Sequence, residues 1–130
     1  MRLSVLALSL LALAVPAAAQ EVETTKIGKS VVKFHVLPSL DETELKTLRL
    51  VATNKQALAI FLPDGGKTFS AMAISPSEGF MRDGAPVKSA TAVGGFPDAA
   101  TAAAGVVELC DKARKKGSKP CVVVLEIAPR

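Results

Sequence analysis

The stretch DAATAAAGVVELCDKARKKGSKPCVVVLEI, residues 98–127, decides the fold. Its first half has helical periodicity, with Ala99, Ala102, Ala103, Val106, Cys110 and Ala113 on one stripe. Asp98 opens the helix, which the pattern carries to about Lys116, and Gly117 stands where a C-cap glycine belongs. An alanine-rich stripe lets a helix backbone lie close to a sheet. Gly105 costs about 1 kcal/mol relative to alanine in mid-helix, and close packing there would offset it. Beyond Pro120, the run from Cys121 to Ile127 is β-branched and reads as a strand, with Cys121, Val123, Leu125 and Ile127 on one face. Cys110 and Cys121 are the only cysteines. An even count in an exported chain reads as a disulfide, here pinning the last helix to the last strand. A metal site would need two further ligands, and the one histidine, His35, is far away in sequence. The separation is also nothing like the Cys-x-x-Cys of a redox pair.

Working outward, Ser30 to Leu37 alternates at period two, with Val32, Phe34 and Val36 on one face, and Pro38 stops the strand. Ser39 and Glu42 have capping-box spacing, and Leu45, Leu48, Val51 and Ala52 then form a helical stripe ending near Asn54. Ala57–Leu62 and Thr68–Ser75 flank Pro63-Asp64-Gly65-Gly66, which suggests a β-hairpin. Ser75-Pro76-Ser77-Glu78-Gly79 is a second turn, and Ala90–Val93 a short strand. Residues 20–29 are polar and read as a flexible N-terminal arm. The expected fold is α+β: a small, mainly antiparallel sheet packed against two helices, with one disulfide, as a single domain over residues 30–130.

Residues 1–19 have the three-part layout of a cleavable signal peptide. Arg2 precedes an apolar run from Leu3 to Val15, and Ala17 and Ala19 supply the small side chains needed before a cut at Gln20. The run is shorter than the roughly 20 residues of a spanning helix, so no transmembrane segment is expected after leader cleavage. The location implied is periplasmic or secreted. Removing the leader from the 130-residue chain leaves about 110 residues, one domain by size. The formal net charge of +4 counts Arg2, so cleavage lowers it by one, to a mildly basic value.

Composition narrows the function classes. The absence of Trp and Tyr, with five Phe, argues against nucleobase stacking, and no nucleic-acid partner is expected. No cofactor, metal site or catalytic residue is assigned. A Ser-His-Asp triad would have to use His35, without any accompanying Gly-x-Ser-x-Gly. His35 lies opposite the apolar strand face and reads as solvated or hydrogen-bonded. Asp41, Glu42 and Glu44 are accounted for by the first turn of a helix. Pro63-Asp64-Gly65-Gly66-Lys67 lacks the spacing of a phosphate loop. The cluster Lys112, Arg114, Lys115, Lys116 and Lys119 is the one candidate contact patch, suited to an envelope protein or an anionic surface.

From Phe69 onward the order of features resembles a group of small exported bacterial proteins of unassigned role. The shared features are the strand and turn Ser70-Ala71-Met72-Ala73-Ile74-Ser75-Pro76, an alanine-rich helix ending in Cys110, and Pro120-Cys121 opening an apolar strand. The resemblance implies the Cys110–Cys121 disulfide and no active site. Some of the group carry the name 5-aminolevulinate synthase. That reaction needs pyridoxal phosphate held by a Schiff-base lysine, a phosphate cup and an acidic partner, an assembly beyond a domain of this size. The expected role is a non-catalytic binding or envelope-associated accessory module. A small periplasmic enzyme or a small-ligand carrier is the alternative.

Overall fold

A computed structural model describes residues 21–130. The expected signal peptide, with Ala17, Ala19 and Gln20 at its expected cleavage point, falls outside the described residues. Seven strands and three helices follow one another: β1 (Glu21–Ile27), β2 (Ser30–Val36), α1 (Glu42–Thr53), α2 (Lys55–Ala59), β3 (Phe69–Ile74), β4 (Met81–Arg82), β5 (Ala85–Pro86), β6 (Thr91–Phe96), α3 (Ala99–Ala113) and β7 (Val122–Pro129). Five strands form one sheet in the order β1-β2-β7-β3-β6, and β4-β5 is a separate two-stranded ribbon. Every pairing is antiparallel. This is the expected α+β architecture, with α2 as a short third helix.

Each face of the sheet has its own core. Leu48 of α1 and Leu58 of α2 pack on Phe34, Met72, Ile74 and Leu125 of the sheet. Between α3 and the sheet the buried side chains are small: Ala71, Ala73, Ala102, Val106, Cys110 and Cys121, with the half-buried Phe69 and Phe96 packed against them. The first core carries most of the hydrophobic stabilisation, since each fully buried large side chain contributes about 1.5–3 kcal/mol. The second fixes how closely α3 can approach. A Cβ on Gly105 would stand 2.8 Å from the Phe96 ring, so the glycine is there to admit that ring. The disulfide joins Cys110 of α3 to Cys121, just before β7, with the Cα atoms 6.0 Å apart.

Five local readings need correction. The segment taken for a flexible arm is strand β1, fully paired with β2 from Glu21↔Val36 to Ile27↔Ser30. As an edge strand open on one face, it carries no apolar alternation to betray it. The cap of α1 is Asp41, not Ser39. Its carboxylate accepts the Glu44 amide at 2.8 Å, and the Glu44 side chain accepts the Asp41 amide in return. That register lets Leu40 into the core. Ala57–Leu62 is no strand, because Asn54 ends α1 and its side chain caps α2 through the Ala57 amide. Pro63–Gly66 therefore links a helix to a strand rather than closing a hairpin. In β7, Val123 pairs with Ala73 and Leu125 with Met72, leaving Val124 as a bulge. An extra residue reverses the alternation, so Cys121 and Val123 meet α3 while Leu125 and Ile127 join the opposite core. Finally, α3 stops at Ala113 with Arg114 extended at its C-cap, and Gly117, at φ +90°, serves the following loop.

Candidate functional site

The site is built where β3 ends and β7 begins. Ser75, at the end of β3, starts the turn Ser75–Gly79, with the Gly79 amide donating to the Ser75 carbonyl at 2.8 Å. The Ser75 hydroxyl, fully buried, donates to the Lys119 carbonyl at 2.6 Å. The Lys119 amide donates to the Ser77 hydroxyl at 2.9 Å, and the Lys115 amide donates to the Glu78 carboxylate at 3.2 Å. Two distant loops are thereby clamped together. On the α3 side, Asp111 accepts from the Arg114 guanidinium at 2.8 Å and from the Cys121 amide at 2.9 Å. The Cys121 amide and then the Arg114 side chain hold the Asp111 carboxyl below its ordinary pKa. Arg114 also donates to the Ser118 carbonyl. The loop from α3 to β7 is thus fixed at both ends, with the disulfide behind it.

The second wall is the β4-β5 ribbon. Its turn is Asp83-Gly84, with φ of +54° and +77°, the paired left-handed conformation that an Asp-Gly hairpin turn adopts. The ribbon is anchored by Glu44, which is 1% exposed. Its carboxylate accepts the amides of Phe80 and Met81 and lies 3.4 Å from the Arg82 guanidinium. Burial opposes its ionisation, but the Met81, Phe80 and Asp41 amides with Arg82 outweigh that and hold its pKa below the ordinary 4.5. Gly79, at φ +79°, lets the carboxylate in, since a Cβ there would stand 2.7 Å from it. Glu44 is therefore more than a first-turn helix residue.

Between the walls lies an open cleft lined by Arg82, Lys88, Lys115 and Lys116, with Glu78, Asp83 and the hydroxyl-bearing Ser77 and Ser118. Lys88, Lys115 and Lys116 are exposed and make no ion pair among the described residues. Of the five basic residues singled out in the sequence, only Lys115 and Lys116 line this cleft. Lys112 is bound to Glu108 at 2.7 Å, Arg114 to Asp111, and Lys119 contributes its backbone to the clamp. Lys88 was missed, because it lies far away in sequence; the Asp83-Gly84 hairpin signal just before it was the available cue.

The other candidates lie elsewhere. His35 hydrogen-bonds Glu126 at 2.6 Å on the sheet face opposite α1. The turn at Asp64 is a local cap, its carboxylate accepting the Gly66 and Lys67 amides at 3.1 and 3.0 Å. Between the start of α3 and the sheet there is only a small notch, lined by Phe69 and Ala71 of the sheet and Ala99 and Ala102 of α3. Among the described residues, no three His, Cys, Asp or Glu side chains are grouped to hold a metal ion, and no helix is long and apolar enough to cross a membrane. Set against known protein families, curated proteins and solved structures, the chain matches none.

Proposed function

We propose that this chain is an exported, disulfide-linked accessory module that binds an acidic polypeptide segment of an envelope partner in the cleft between the β4-β5 ribbon and the α3–β7 loop. The observation that carries this reading is the convergence of Lys88, Lys115 and Lys116, which make no ion pair among the described residues, on a concavity whose loops are hydrogen-bonded together. With Arg82, these three lysines outnumber Glu78 and Asp83 in the cleft lining, so an incoming carboxylate meets a net positive surface. The concave shape and the interleaved serines suit an extended chain better than the plane of a lipid headgroup layer. The leader and the disulfide support an oxidising, extracytoplasmic setting for such a partner. The 5-aminolevulinate synthase label gains no support from this arrangement.

The test is fluorescence anisotropy with labelled poly-L-glutamate at low and physiological ionic strength. Wild type should bind, more weakly as salt rises. The triple variant K88E/K115E/K116E should lose at least about tenfold in affinity. Control vesicles containing phosphatidylglycerol should bind less well than the peptide. Equal binding by wild type and the triple variant sinks the proposal.

A further inference from the structure

We propose that two copies of this chain associate edge to edge through β1, antiparallel about Thr24. Among the described residues, strand β1 pairs only with β2, through seven consecutive partners without a register shift, and no described strand pairs with its other side. The connection is the two-residue turn Gly28-Lys29, with Gly28 at φ +55°. In a hairpin of this kind the flanking pair, Ile27 and Ser30, exchanges both hydrogen bonds. Alternation then turns the amides and carbonyls of Glu23, Thr25 and Ile27 inward, and those of Val22, Thr24 and Lys26 outward. The strand has neither proline nor bulge, two of the devices that normally block an edge.

What protection it has is charge, and the charge is divided. Glu21 and Glu23 stand at one end and Lys26 at the other. Parallel pairing with a second copy would lay acid beside acid. Antiparallel pairing lays the acidic end of each strand beside the basic end of the other. About a two-fold axis at Thr24, Thr24 meets its own copy, a favourable cross-strand pair, and Val22 meets Lys26. Val22 is 44% exposed on the open sheet face and would be covered by the aliphatic stem of that lysine. Glu23 is held on the opposite face by Arg49 at 2.9 Å, which keeps it out of the way. The same self-complementarity that makes a two-fold interface possible is thus present in one strand. Such a contact is smaller than a standard interface of roughly 1,600 Å², so a dissociation constant on the order of 10 µM is expected.

Sedimentation equilibrium of the purified, disulfide-intact protein from about 1 to 200 µM reads this directly. Wild type should follow a monomer–dimer equilibrium. Thr24→Pro removes an outward amide while leaving the inward ladder whole, and should raise the dissociation constant at least about tenfold with an unchanged circular dichroism spectrum. Should Thr24→Pro fail to fold, Lys26→Glu decides, because it gives the strand three acids and should weaken association about as much. A wild-type protein that is monomeric throughout, or a dimer indifferent to the folded variants, would overturn the proposal.

Discussion

Glu44 is the residue on which the second wall of the cleft depends. Removing its carboxylate leaves the Phe80 and Met81 amides without their acceptor and Arg82 without its partner. Glu44→Ala should therefore cost about 2–4 kcal/mol, read by urea denaturation at neutral pH. The pH dependence has a definite sign. The folded pKa lies below 4.5, so the stabilisation is complete above about that pH and is lost as pH falls through the depressed value. Glu44→Gln should flatten that acid limb, and a stability profile parallel to wild type from neutral to acid pH would contradict the assignment. Gly105 gives a prediction of opposite sign to its propensity. Alanine would gain about 1 kcal/mol as a helix former, yet its Cβ would meet the Phe96 ring. Gly105→Ala should lower stability by a net 1–2 kcal/mol or so, measured by thermal melting.

At the scale of elements, legibility followed burial. Helix α3 is readable because it buries one coherent stripe, and strand β7 because its run from Cys121 to Leu125 is apolar throughout; the two cysteines sit where the two elements meet. Strand β1 was not readable, since one of its faces is open and Glu23 on the other pairs with Arg49, so neither face writes an apolar pattern. Helix α2 reads like a strand in sequence because five residues show too little helical periodicity, and its cause is the Asn54 cap. The bulge at Val124 was invisible too, as four β-branched or leucine residues in a row suit either alternation. The disulfide closes a loop with a sequence separation of 11 residues. Replacing both cysteines with alanine should cost about 3 kcal/mol and free the α3–β7 loop. Hydrogen exchange should then show faster amide exchange at Lys115 and Lys119, while α1 keeps its protection. Uniform loss across the sheet would mean that the bond holds the whole fold rather than this end.

For the whole molecule, the candidate site lay only partly in the sequence. Lys115 and Lys116 were visible as part of a charge run, but a run cannot tell which of its members are already occupied. The structure commits Lys112 and Arg114 to Glu108 and Asp111, and draws in Lys88 from the far wall. Only the long-range clamp through Ser75, Ser77 and Glu78 makes those lysines one site. The central claim is that this cleft, and not the rest of a mildly basic surface, receives acidic chains. The most direct measurement is a titration of the isotopically labelled protein with poly-L-glutamate, followed by amide chemical shifts. Saturable shifts should appear at Ser77, Lys88 and Lys115 through Ser118, leaving Gly28, Lys29 and Lys55 at the opposite end unmoved. Shifts spread over all the exposed lysines, or gathered at that opposite end, would contradict it.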